Sequence, residues 1–137
     1  MIDLDDLNPH AFALTENQER NLIETCRRFN LLEEEYLKQP GAKHFIIPSG
    51  FRSMADHYRI YKDKGIDHPP LGSRHLTGEA ADVAAEAGSP LKTWILSNSG
   101  LYWLEKIVLY CEHFETTPHH IHFQTCPPAS GKRFFYP

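Results

Sequence analysis

The amino-acid sequence predicts an α+β fold, and two observations support that prediction. Leu22, Cys26 and Phe29 recur at helical spacing early in the chain, whereas short apolar runs typical of strands dominate its second half. Helices that precede strands favour an α+β arrangement over alternating β-α-β units. The chain has 137 residues, of which 41% are hydrophobic, so residues 1–137 are expected to form a single domain around one core.

Capping and breaking signals define the first elements. Thr15–Gln18 has the form of a capping box, which predicts a helix over 16–29 with an extension toward residue 38. The Gln-Pro-Gly sequence at 39–41 then ends the helix. The apolar run His44–Pro48 predicts a buried strand.

The middle of the chain is predicted to contain a turn, a short helix, a loop and a strand. Ser49–Ser53 has turn composition, and Ser53 can cap a helix that ends near Tyr61. The segment 63–74 contains two Gly and two Pro, which predicts a surface loop. The small apolar segment Glu79–Ala85 is typical of a central strand that neighbours pack against closely.

The C-terminal third is predicted to hold one helix and two strands. Ser89-Pro90 fits the N-cap and first position of a helix that ends near Asn98. The β-branched and apolar run Lys106–Cys111 predicts one strand, and His119–Thr125 predicts another. The Pro- and aromatic-rich tail Pro127–Pro137 is expected to be irregular.

Composition disfavours several classes of partner. The net charge of −4 gives no basic field to attract nucleic acid or anionic lipid. No stretch approaches the roughly 18 apolar residues of a membrane span. The acidic N-terminus lacks the basic region of a signal peptide, so we expect synthesis in the cytoplasm without an export signal of its own. The odd number of cysteines, in no metal-type spacing, indicates reduced thiols: Cys26, Cys111 and Cys126.

Four polar residues in the second half suggest a metal site. Asp82 lies among small apolar residues, where an ionised carboxylate is costly to bury without a partner. His120 and His122 project to one side of a strand, so one can bind a metal while the other stands beside it. The alternatives are a solvated strand face and, for His75, a place in a surface loop. Two imidazoles and a carboxylate are nevertheless the ligand set of a catalytic zinc site with one open position.

These residues also carry a resemblance to a known family. The pattern S-x-H-x-x-G-x-A-x-D over Ser73–Asp82, followed by His120-x-His122, resembles the M15 family of zinc peptidases. That family contains D-alanyl-D-alanine carboxypeptidases and related peptidoglycan peptidases. Ser49–Ser53 is similar to the family's Ser-Gly-Tyr-Arg-Ser element, and the resemblance spans roughly residues 45 to 125. It implies a small metallopeptidase fold with a central antiparallel sheet and flanking helices, shared with lysostaphin-type enzymes and the Hedgehog N-terminal domain.

The resemblance implies roles for individual residues. His120 would be the second-sphere histidine that orients or deprotonates the attacking water. Arg52 would lie in the cleft, where a guanidinium suits a peptide carboxylate or a tetrahedral oxyanion; a structural salt bridge is its alternative role. The implied ligands of Zn²⁺ are His75, Asp82 and His122.

This chain departs from the family at one position. Some branches place an acidic general base three residues before the last ligand, where this sequence has His119. Because adjacent strand residues point to opposite faces, the base is assigned to His120, and His119 is kept as a candidate substrate contact.

The resemblance also implies a function. The expected activity is zinc-dependent hydrolysis of peptidoglycan stem-peptide bonds, by a D-Ala-D-Ala carboxypeptidase or an endopeptidase. A short chain without a signal peptide or wall-binding domain would suit a phage endolysin released by a partner, or a lysin carried on the virion. The alternative is a non-catalytic, zinc-containing module of the same fold that binds the cell wall or a protein.

Overall fold

The computed structural model describes residues 1–137 and confirms the α+β class. None of its helices combines the length and the apolar character needed to cross a membrane. Single-turn 3₁₀ helices lie at Arg74–Leu76 and Phe114–Thr116. The α-helices are α1 (Leu4–Leu7), α2 (Glu16–Tyr36), α3 (Met54–Asp63), α4 (Pro90–Ile95) and α5 (Asn98–Ile107). The strands are β1 (Ala80–Ala84), β2 (Tyr110–Glu112), β3 (His120–Gln124) and β4 (Phe134–Phe135).

The four strands form one sheet in the order β1-β3-β2-β4. The β1–β3 and β3–β2 pairs are antiparallel, whereas β4 runs parallel to β2. The sheet is therefore mixed: the expected antiparallel pairing is present among β1, β3 and β2, and the short strand β4 adds a parallel pair at the edge. The tail, expected to be irregular, returns to β2, where Cys111 N donates to Arg133 O and His113 N donates to Phe135 O.

Helix α2 supports the sheet and the turn that precedes β1. Its predicted capping box is present, and the helix continues past Phe29 to Tyr36, as the extension predicted. Phe29 packs edge-to-face on Phe123 of β3, with ring centroids 5.6 Å apart. The Thr25 hydroxyl donates to Gly78 O at 2.8 Å. Gly78 has φ +81°, and a Cβ there would meet the backbone of α2, so the turn into β1 requires glycine.

The predicted strand at His44–Pro48 is not formed. Asp82 N donates to Ser49 O and Ala84 N donates to Ile46 O, but only an isolated Ser49–Asp82 bridge results. The acceptors Ser49 and Ile46 are three residues apart whereas the donors Asp82 and Ala84 are two apart, so the pairing beside β1 is out of register and no regular ladder forms. The segment is extended chain, with Ile46 largely exposed.

The predictions around residues 89–111 were partly wrong. Helix α4 begins at Pro90 as expected, but Ser97 caps a second helix, α5, that continues to Ile107. Gly100 lies inside the first turn of α5. A Cβ there would collide with the backbone of α4, so the close packing of the two helices requires glycine at this position. Val108 takes a left-handed conformation and ends α5, so the strand starts only at Tyr110.

Candidate metal centre

Three buried side chains meet at the outer face of the β1–β3 pair. The antiparallel register places Asp82 directly opposite His122. His75 approaches from the 3₁₀ turn before β1, and its buried ring lies with its centroid 5.1 Å from that of His122. One potential ligand atom from each residue lies within 4.8 Å of the other two. The structure therefore brings together the three residues that the resemblance implied as metal ligands.

The hydrogen bonds of His75 fix its tautomer. Its Nδ1 lies 2.8 Å from the carbonyl oxygen of Gly50, which can only accept, so Nδ1 carries the proton. In the neutral ring, Nε2 then has a free lone pair. This lone pair faces Asp82 Oδ1 at 3.3 Å.

His122 is oriented in the same way by Gln124. The Gln124 side-chain nitrogen donates to Cys126 O at 3.0 Å, which directs Oε1 toward His122. His122 Nε2 donates to that oxygen at 3.0 Å, so the lone pair of the neutral ring lies on Nδ1. Nδ1 faces Asp82 Oδ1 at 3.2 Å.

The arrangement fits a divalent metal ion. The lone pairs of the two neutral imidazoles point at the same carboxylate oxygen. Their electrostatic repulsion is relieved only by a proton or a cation placed between the three atoms. Ligands about 2.0–2.1 Å from a tetrahedral zinc lie about 3.3–3.4 Å from one another. The spacings of 3.3 Å from His75 Nε2 and 3.2 Å from His122 Nδ1 to Asp82 Oδ1 match that value.

The charges of the three residues are strongly linked. Burial lowers the pKa of His75, and the nearby Asp82 charge offsets this only in part. Burial also disfavours the His122 cation, but the hydrogen bond and charge of Asp82 prevail and raise the pKa of His122. Burial alone would raise the pKa of Asp82, but the two histidines hold it far below its usual range. Asp82 is therefore the fixed negative charge of the site.

Two further predicted residues lie beside the second carboxylate oxygen. His120 Nε2 is 3.7 Å from Asp82 Oδ2, and its side chain is 33% exposed, so it is accessible from solvent. Arg52 Nη2 is 4.0 Å from the same oxygen. Ser49 Oγ accepts from Arg52 Nε at 3.3 Å and from Nη2 at 3.1 Å.

The ligands open into a cleft of about 590 Å³. Arg52 and His120 line it together with the three ligand residues. The other charged side chains that line the cleft are two basic residues, Lys64 and Arg74, and one acidic residue, Glu112.

The structure does not bring His119 to this group. Its side chain is 77% exposed, and Nδ1 lies 2.7 Å from Glu86 Oε2. His119 lies in the turn just before β3, which begins at His120, so the alternation along the strand does not apply to it.

Sequence reasoning missed two residues that orient the site. Gln124 was given no role, although its position two residues after His122, on the same face of β3, was an available signal. His57, fully buried in α3, was overlooked. His57 lies four residues from both Ser53 and Tyr61, so the three share one face of the helix. This spacing does not reveal the contacts of His57 with Arg52 and with the Pro70 carbonyl oxygen.

Comparisons with known proteins add little to this geometry. No protein-family model matches the chain, and no curated protein is significantly similar to it. Membership of the M15 family is therefore not confirmed. The crystal structure of Serratia marcescens L-Ala D-Glu endopeptidase ChiX is 23% identical, with a TM-score of 0.49, and the match covers 89% of this chain and 94% of that chain. A similarity at this level carries no argument about activity.

Proposed function

We propose that this protein is a zinc-dependent peptidase of the M15 type that hydrolyses peptidoglycan stem-peptide bonds. The observation that carries the proposal is the convergence of His75 Nε2 and His122 Nδ1 on Asp82 Oδ1 at tetrahedral spacing. The motifs over Ser73–Asp82 and Ser49–Ser53, rather than the geometry, supply the substrate class.

The proposed reaction divides the work among five side chains. His75, Asp82 and His122 would hold a zinc ion, which would supply Lewis acidity and lower the pKa of a water to near 7. His120 takes the proton of the attacking water at its Nε2 and returns it to the leaving amine. Arg52 donates to a substrate oxygen, either a peptide carboxylate or the oxyanion that develops on the scissile carbonyl.

The position of His120 favours this proposal over a non-catalytic binding module. In a module, His120 could be hydrogen-bonded away from the metal water. Its Nε2 instead lies 3.7 Å from Asp82 Oδ2, and the ring is one-third exposed at the border of the cleft, where a water or substrate can reach it.

The proposed place of action is the cell wall. A chain of this kind would reach its substrate after release from the cytoplasm, or as part of a virion if it is phage-derived. The charge of −4 gives no reason to expect nucleic acid as a partner.

Digestion of purified peptidoglycan tests the proposal. We expect the purified protein to contain about one zinc per chain when it is loaded with the metal. It should then generate new peptide ends, whose masses identify the scissile bond. Asp82→Ala should lose both zinc and turnover. His120→Ala should keep zinc and lose turnover, because His120 is not a ligand in the proposed site.

His68→Ala is the matched control, since His68 is an exposed histidine outside the lining of the cleft. It should behave like the wild type. A wild-type protein that binds zinc but creates no new peptide ends would contradict the peptidase and support the binding module. Equal zinc content in the wild type and Asp82→Ala would contradict the metal site itself.

A further inference from the structure

Arg52 makes its hydrogen bonds to neutral partners, and its Nη2 also lies 4.0 Å from Asp82 Oδ2. A guanidinium has five N–H donors. One on Nε and one on Nη2 are used by Ser49 Oγ, and one on Nη1 lies 3.5 Å from His57 Nδ1. One N–H on each terminal nitrogen makes no hydrogen bond, and Nη2 lies at the edge of the cleft 4.0 Å from Asp82 Oδ2. The position at which Arg52 can bind a substrate oxygen is therefore set by the contacts that orient its guanidinium.

His57 has the protonation pattern needed to accept from Arg52. Its Nε2 is 2.8 Å from the carbonyl oxygen of Pro70, which can only accept, so Nε2 carries the proton. Neutral His57 therefore presents a lone pair on Nδ1, and Arg52 can only donate. The two contacts agree on a single tautomer.

His57 is also built into the scaffold and closed to solvent. It is fully buried in α3, the helix that Ser53 caps. Tyr61, one turn later, packs edge-on against the imidazole with ring centroids 4.9 Å apart. Pro70, whose carbonyl oxygen accepts from His57, is one of the residues that line the cleft. One imidazole therefore ties together a rigid helix, the cleft loop and Arg52.

We propose that His57 is a positioning residue for Arg52. As a neutral acceptor on one side and a donor to the Pro70 carbonyl on the other, it fixes the guanidinium against the loop that forms the cleft wall. It touches no substrate, because it is fully buried, and it acts through Arg52 alone. The inference rests on the proposed peptidase function, in which Arg52 binds a substrate oxygen.

Two substitutions separate hydrogen bonding from packing. Gln can replace both functions of His57, since its amide oxygen accepts and its nitrogen donates; Leu fills space and does neither. We expect His57→Leu to lower kcat/KM on peptidoglycan fragments about tenfold, and His57→Gln to stay within about threefold of the wild type. Both should keep the zinc content of the wild type. A loss carried by KM would assign Arg52 to a ground-state carboxylate, and a loss carried by kcat would assign it to the oxyanion.

A second measurement needs no turnover. In ¹⁵N-labelled protein, long-range proton–nitrogen correlation should show His57 protonated on Nε2 and unprotonated on Nδ1. Arg52→Met should shift the Nδ1 resonance, because that atom loses its donor, while His68→Leu should leave it unchanged.

The outcomes separate this inference from the proposed function. Two results would overturn the positioning role whether or not the protein is a peptidase. One is a proton on Nδ1 of His57, and the other is an Nδ1 resonance that does not change in Arg52→Met. Equal activity of His57→Leu and His57→Gln would also overturn it. A wild-type protein that cleaves no peptidoglycan refutes the peptidase, and the nitrogen spectra then decide the Arg52–His57 contact alone.

Discussion

The two faces of the β1–β3 pair are made from the same ten residues, yet they differ in almost every property. On the inner face, Ala81, Val83, Ile121 and Phe123 are completely buried in the core. On the outer face, Asp82 lies opposite His122, with His120 and Gln124 on either side along β3. Because side chains alternate along a strand, one face of this antiparallel pair packs in the core, and the other carries the candidate metal ligands.

The two faces also differ in how they tolerate burial. The inner face gains free energy by removing apolar surface from water. The outer face buries a carboxylate, which is costly unless cations or donors surround it. His75 and His122 meet Asp82 Oδ1, while Arg52 and His120 lie near Oδ2. We therefore expect inner-face changes to destabilise the fold, and changes to the candidate ligands of the outer face to spare the fold and abolish metal binding.

The largest effect on folding is expected from Phe123→Ala. Its ring is fully buried against Phe29, so truncation leaves a cavity and should cost about 3–5 kcal/mol of the free energy of unfolding. Urea denaturation of the zinc-free protein measures this loss. Tyr102→Ala is the control, because Tyr102 is 56% exposed and should change stability by less than about 0.5 kcal/mol. Equal losses for the two variants would refute the inner face as the source of stability.

The next effect concerns zinc and the outer face. A ligand that binds only the folded state stabilises it by about 4 kcal/mol at a thousandfold excess over Kd. We expect zinc to raise the unfolding midpoint of the wild type and of a folded inner-face variant, but not of Asp82→Asn, which loses the charge that His75 and His122 share. Differential scanning calorimetry with and without zinc measures the increment. An equal zinc increment in Asp82→Asn would show that the outer face is not the metal site.

Local sequence rules predicted the parts of this comparison that lie within single segments. Alternation along a strand placed His120 and His122 on one face, and the capping box at Thr15 marked the start of α2. The small residues around Asp82 gave the clearest signal, because they predicted a buried carboxylate that needs a partner.

The missed features depend on contacts between distant segments. Strand β4 exists because the tail reaches β2, and no local pattern specifies that pairing. Helix α5 begins where the predicted helix was expected to end, near Asn98, and Gly100 permits its close packing on α4. The contact of His57 with Arg52 and Pro70 likewise joins a helix, a turn and a loop. In each case propensity alone could not identify the partner.

A smaller effect is expected from the residue that orients His122. Gln124→Leu removes the acceptor of His122 Nε2 but none of the proposed ligands. Loss of such a partner should weaken zinc binding about 10–100-fold, equivalent to about 1.4–2.7 kcal/mol. Competition with a chromophoric chelator measures the affinity, and Gln39→Leu, in the turn after α2, provides a control. An unchanged affinity would mean that His122 does not depend on Gln124 for its tautomer.

The smallest effect is expected on α2, away from both faces. Glu24 pairs with Arg27 and with Arg28, which also donates to the carbonyl oxygen of Thr125 at the end of β3. The hydrogen bond from Arg27, with partial burial opposing it and Arg28 adding to it, lowers the pKa of Glu24 from its ordinary value near 4.5 to about 2.

A carboxyl group with a lowered folded-state pKa stabilises the fold above its unfolded pKa and loses that contribution as the pH falls through the folded value. Glu24 is 38% exposed, so solvent screens the pair, and Glu24→Gln should cost less than about 1 kcal/mol at pH 7. The difference from the wild type should shrink between about pH 4.5 and pH 2 in urea titrations. Glu34→Gln, an exposed change on the same helix, should show no such pH dependence. If the Glu24→Gln difference instead grew on acidification, the Arg27 and Arg28 contacts would not be the source of the stabilisation, and the end of β3 would be held by backbone pairing alone.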